Sequence, residues 1–155
     1  MMTRSFLRVA SLAGLAMLAS AYAPAPHHAA PGAATITVFK DANCGCCKSW
    51  IEHLRKHSFT VIARDTNDLS GIKRTSRVPE RLGSCHTGIV NGYVVEGHVP
   101  AADIQRMLSE KPRIAGIAVP GMPAGSPGME VGARKDPYDV IAFNRDGSTK
   151  VYAKH

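Results

Sequence analysis

Apolar and polar positions first fall into a regular rhythm at Thr35-Ile-Thr-Val-Phe39, where β-branched residues alternate along a strand. Past Lys40-Asp-Ala-Asn43, the stretch from Lys48 to His57 brings Trp50, Ile51 and Leu54 to one side at helical spacing. Phe59-Thr-Val-Ile-Ala63 reads as a second strand. Asp68 is placed to cap a short helix that runs through Ile72 and Lys73 and ends before Pro79. Thr87-Gly-Ile-Val90 and Tyr93-Val-Val95 flank Asn91-Gly92, a dipeptide suited to a two-residue hairpin turn. Pro100 opens a helix over Ala101–Ser109, with Ile104, Met107 and Leu108 facing inward. The run Val119-Pro-Gly-Met-Pro-Ala-Gly-Ser-Pro-Gly-Met129 has no apolar period and reads as a loop. Tyr138–Phe143 and Thr149–Tyr152 then form a closing hairpin that turns at Asn144-Arg-Asp-Gly147.

The order β-α-β-α-β-β-α, with cysteines at the first strand-to-helix junction, predicts an α/β, thioredoxin-like fold. A central mixed sheet would be flanked by helices and extended by a C-terminal loop and β-hairpin. The start of the chain follows another pattern. Arg4 and Arg8 precede a short apolar run, Leu12–Leu18, and Ala21-Tyr22-Ala23 offers small residues at the spacing a signal peptidase accepts. That run is too short to cross a hydrocarbon core of about 30 Å. Three segments are therefore expected: a signal peptide at 1–23, a flexible Pro/Ala-rich lead-in at 24–33, and a single domain at 34–155. The protein should be exported and keep no stable membrane anchor.

Composition narrows the partners. The formal net charge of +7 is basic, but Lys and Arg are scattered, and Arg74, Arg77 and Arg81 form the densest stretch without any aromatic ladder. Nucleic-acid binding needs a basic stripe with stacking residues, and export argues against it as well. With only 6% aromatic residues the core must be mainly aliphatic.

The chemistry lies in the 4 cysteines. Cys46 and Cys47 are adjacent and Cys44 is two residues away, a crowding that suits a reactive site better than two structural disulfides, whose Cα atoms prefer to lie about 5.5 Å apart. Cys44 and Cys47 stand in a C-x-x-C relation at a helix N-terminus, where unpaired N–H groups and the helix dipole favour thiolate. Such a dithiol suits disulfide exchange or soft-metal binding. A third thiol between the two invites dead-end disulfides in an exchange enzyme, whereas Cu(I) prefers clustered thiolates. Bridging thiolates and more than one copper fit the crowding. Zinc with four cysteines is the lesser candidate, because its ligands usually sit on two separated knuckles. In a thioredoxin-like order the segment before the third strand approaches the first helix, so Cys85-His86 should bring a fourth sulfur and an imidazole to the cluster. Met122 and Met129 are secondary candidates as soft thioether ligands. His98 either lies near the site or begins the next loop, and His53 and His57 read as a solvated helix face. The alternative function is a thiol-disulfide or copper-redox oxidoreductase using Cys44 and Cys47.

Four motifs in this order, Cys44-Gly-Cys-Cys47, Ser84-Cys-His-Thr87, Glu96-Gly-His-Val-Pro100 and Gly121-Met-Pro-Ala-Gly-Ser-Pro-Gly-Met129, resemble the CopG copper-resistance family of exported metal-binding proteins. The resemblance covers roughly residues 35–152. It implies a thioredoxin-like domain in the bacterial periplasm and copper held by Cys44, Cys46, Cys47 and Cys85, in a thiolate-bridged multinuclear cluster. It also implies a role in copper tolerance beside other periplasmic copper-handling proteins.

Overall fold

The computed structural model describes residues 34–155; the expected signal peptide and lead-in lie outside the described residues. The elements are β1 (Thr35–Lys40), α1 (Gly45–Lys56), β2 (Thr60–Asp65), α2 (Leu69–Thr75), a single 3-10 turn (Glu80–Leu82), β3 (His86–Val90), β4 (Tyr93–Glu96), α3 (Ala101–Glu110), β5 (Gly116–Ala118), β6 (Asp139–Phe143) and β7 (Thr149–Lys154). All strands join one seven-stranded sheet in the order β2-β1-β3-β4-β5-β6-β7. The β1–β2 and β4–β5 pairs are parallel and the other pairs antiparallel, so the sheet is mixed as expected.

Alternation along the strands divides the core between two faces. Ile36, Val38, Val95, Ile117, Val140 and Ala142 turn to one face, where Trp50, Ile51 and Leu54 of α1 and Ile104 and Met107 of α3 cover them. Val94, Ala118 and Phe143, with Ile89 and Ile141, turn to the other and meet Leu82 and Val78 beyond α2. Local signals act where the sequence places them. The Asp68 carboxylate accepts the Gly71 N–H at 2.7 Å and caps α2. Asn91 and Gly92 take φ of 46° and 83°, the paired positive values that a type I′ hairpin turn requires.

Two features differ from the sequence reading. Helix α1 begins at Gly45 rather than Lys48, which puts Cys46 and Cys47 inside its first turn. The three-residue β5 is too short to show a period of two, yet it pairs with both β4 and β6. It thereby makes the C-terminal hairpin part of the main sheet.

Trp50 links this core to the cysteine end of the sheet. Its ring is fully buried, its indole N–H donates to the Val99 carbonyl at 2.9 Å, and its centroid lies 4.2 Å from that of His86. Trp50→Phe removes the donor and leaves a smaller ring, so unfolding in urea should show a loss of about 2 kcal/mol. An unchanged midpoint would mean that neither the bond nor the packing matters.

Candidate metal centre

The site forms where β1 delivers the chain to α1. Cys44 is the N-cap of α1, and its sulfur accepts the Cys47 N–H at 3.2 Å. Cys46 and Cys47 occupy the first helical turn, with Cys47 pointing into the core and Cys46 half-exposed. Cys85 stands immediately before β3, which is antiparallel to β1, so the sheet itself carries the fourth sulfur to the helix end. The Cys46 Sγ lies 3.5 Å from Cys44 Sγ and 3.9 Å from Cys85 Sγ.

One difference from four free thiolates is plain: Cys44 and Cys47 are joined in a disulfide, and Cys46 and Cys85 are free. Geometry permits the bond. A C-x-x-C pair across the first helical turn puts its Cα atoms 5.3 Å apart, inside the range that a disulfide accepts. Crowding disfavours a bond between adjacent cysteines but not one between the first and the last of the four positions.

Two histidines extend the sulfur cluster. Cys85 Sγ is 3.0 Å from Nε2 of His98 and 3.3 Å from Nδ1 of His86, and both rings are buried. The Nδ1–H of His98 donates to the Pro127 carbonyl at 2.8 Å. That bond fixes the tautomer and leaves the Nε2 lone pair facing sulfur, the way metal-binding imidazoles are commonly held. Nε2 of His86 is buried with no hydrogen-bond partner. Burial holds both histidines below the ordinary imidazole range, and for His86 the neighbouring His98 and Lys73 add to the effect. Each ring is therefore neutral and able to donate a lone pair. Burial, and then the neighbouring Cys46, push the Cys85 thiol up to about 12, so a metal must displace its proton.

Two donor groups result, each with its ligand atoms within 4.8 Å of one another: Cys44, Cys46, Cys47 and Cys85, and Cys85, His86 and His98. Cys85 belongs to both. Sulfur-rich donors supplemented by imidazole form a soft set, suited to Cu(I) or Zn(II) rather than to hard oxygen-seeking cations.

The Gly/Pro/Met loop lies against this centre. Ser84 Oγ donates to the Gly121 carbonyl at 2.5 Å, and Pro127 holds His98. At Gly128, φ is +86° and an added Cβ would fall 2.8 Å from the Trp50 nitrogen and 2.9 Å from the Cys46 carbonyl, so only glycine fits there. Met122 is 52% exposed and Met129 partly buried in the same loop. His53 accepts the Ala101 N–H at 3.1 Å, and His57 is bonded to the His53 carbonyl.

Two solved structures resemble the whole described region. One is copper resistance protein CopG, form 2: 48% identity over 79% of this chain and 98% of that one, with a TM-score of 0.76. The other is form 1 of the same protein: 50% identity over 78% of this chain and 96% of that one, TM-score 0.75. The chain belongs to the CopG copper-resistance family. Its mixed α/β architecture is that of the CopG structures. A family model described as a protein of unknown function, DUF411, also matches residues 82–129. That segment contains Cys85, His86, His98 and the loop laid over them, but not the Cys44–Cys47 turn. No curated protein matches the chain. Among the described residues no helix is long and apolar enough to cross a membrane.

The spacing of C-x-C-C and the Cys-His pair brings those five residues to one place in the structure. His98 was the residue whose place the sequence left undecided, and the structure sets it beside Cys85. The signal for it existed in Glu-Gly-His-Val-Pro, but its orientation depends on the carbonyl of Pro127, 29 positions away.

Proposed function

We propose that this is a periplasmic copper-binding protein of copper resistance, exported by residues 1–23, whose single domain at 34–155 holds Cu(I) as cargo. In this reading the reduced thiolates of Cys44, Cys46, Cys47 and Cys85 bridge more than one Cu(I), and His86 and His98 complete the donor set. Met122 and Met129 are secondary ligands at the loop, and zinc is the lesser occupant. Partner proteins would be other periplasmic copper carriers, which exchange the ion thiolate by thiolate. The observation that carries this reading is the sharing of Cys85 between the sulfur group and the imidazole group. A sulfur placed between two donor sets can bridge two ions. Membership in a copper-resistance family supports copper over zinc.

Anaerobic titration of the reduced protein with Cu(I) against a competing chelator tests it. Binding of two or more ions per chain is expected; a reduced protein that leaves all Cu(I) with the chelator would refute the reading.

The Cys44–Cys47 disulfide favours a second reading, in which the pair acts as a thiol-disulfide or copper-redox couple. Opening it consumes two electrons and two protons from an external reductant and returns two thiols. Turnover with a dithiol reductant that disappears in Cys47→Ser and survives in Cys85→Ser would select this reading over metal holding.

A further inference from the structure

Glu96 ends β4 with its side chain fully enclosed, and none of the metal chemistry above uses it. An ionised carboxylate without water is costly unless it is paired and hydrogen-bonded. Its oxygens are all spoken for. The Ser84 N–H donates to Oε1 at 2.6 Å, the Thr87 hydroxyl donates to Oε2 at 2.7 Å, and the Lys73 ammonium from α2 pairs with Oε1. Lys73 also donates to Thr87 Oγ1 at 3.1 Å, which closes a ring of three side chains. Ser84 and Thr87 are the residues on either side of Cys85-His86. The next residue along, Gly97, donates its N–H to the His86 carbonyl at 3.0 Å. Its φ is +71°, and an added Cβ would lie 2.6 Å from Ser84 Oγ. Glu96-Gly97 therefore grips the Ser84–Thr87 segment at both ends and in the middle, and the gripped segment bears the sulfur common to both donor groups.

Cys85 itself lies outside the strand, ahead of the first β1–β3 pair at Lys40 and His86, so the sheet ladder alone does not fix it. We infer that Glu96 is a positioning residue for metal capture: held by Lys73, it keeps the Ser84–Thr87 backbone in one conformation, so that the Cys85 sulfur faces Cys46 and His98 before any ion arrives. This rests on the reading of the cluster as a Cu(I) site. A segment ordered in advance does not lose conformational freedom on binding, and that difference appears as affinity.

The test compares the reduced, metal-free forms of the wild type, Glu96→Ala and the double variant Lys73→Met/Glu96→Gln. The double variant is neutral, but its glutamine carbonyl can still accept the Ser84 N–H and its amide can donate to Thr87. Amide hydrogen exchange over 84–87 and Cu(I) affinity by chelator competition are both read. Glu96→Ala should expose these amides and weaken Cu(I) binding by about 10–100-fold, the usual cost of losing an outer partner of a metal ligand. The double variant should recover most of both. A wild type that binds Cu(I) beside a Glu96→Ala that binds equally well overturns the inference. So does a double variant as weak as the alanine variant, since charge rather than position would then be at work. A wild type that binds no Cu(I) overturns the metal reading itself and the inference with it. Should Glu96→Ala fail to fold, Thr87→Val removes one contact of the ring and should shift both readouts in the same direction by several-fold; no shift in either overturns the inference.

Discussion

Cys85→Ser is expected to weaken Cu(I) binding by more than about 100-fold, because losing even an outer partner of a ligand costs about 10–100-fold. The half-buried side chain keeps nearly its shape on substitution, so the fold should survive, and circular dichroism should match the parent. What changes is the donor. A serine hydroxyl is a hard oxygen that keeps its proton, whereas Cu(I) selects soft, deprotonated sulfur. Position magnifies the chemical effect. Among the described residues the Cys85 sulfur lies within 4 Å of another cysteine sulfur and of both imidazoles: Cys46 at 3.9 Å, His98 at 3.0 Å and His86 at 3.3 Å. Its removal separates two donor groups that otherwise share a bridge. His57→Ala is the control, since His57 is exposed and bonded to the helix backbone. Chelator competition on the reduced proteins checks the contrast. Equal affinity in Cys85→Ser and the parent would end the bridged arrangement.

The sequence made some parts of this arrangement legible and hid others. Short-range chemistry was readable. Asn91-Gly92 carries its own turn preference, Asp68 its own cap, and Trp50, Ile51 and Leu54 their helical period. The crowding of Cys44, Cys46 and Cys47 pointed to a sulfur cluster, and the structure gathers these three with Cys85. Several features depend instead on groups far apart in the chain. The three residues of β5 become a strand only by lying between β4 and β6. The ring of His98 is aimed by Pro127, and Glu96 appears as an ordinary strand residue until folding places Ser84, Thr87 and Lys73 around it. The disulfide was hidden for another reason. C-x-x-C is compatible with both a dithiol and its oxidised form, and the choice depends on redox conditions that no residue encodes.

That redox choice leads to the other large effect. With the Cys44–Cys47 bond closed, Cys46 and Cys85 are the remaining thiols, and the sulfur group has lost half of its ionisable donors. A disulfide sulfur carries no thiolate charge and is a poor ligand for a soft cation. Oxidised protein is therefore expected to bind Cu(I) with its capacity reduced by about half or more, and full capacity should return when one disulfide per chain is reduced. Thiol counting before and after reduction follows the opening, and chelator competition follows the copper. The double variant Cys44→Ser/Cys47→Ser separates redox control from simple loss of ligands. It should bind as weakly as the oxidised parent and be indifferent to reductant, because the bond that reductant acts on is gone. In the periplasmic location proposed above, conditions are oxidising, so copper loading of this site would then depend on a donor of electrons as well as on a donor of metal. Oxidised and reduced parent proteins that bind Cu(I) equally would exclude Cys44 and Cys47 from the ligand set and leave the metal to Cys46, Cys85 and the two histidines.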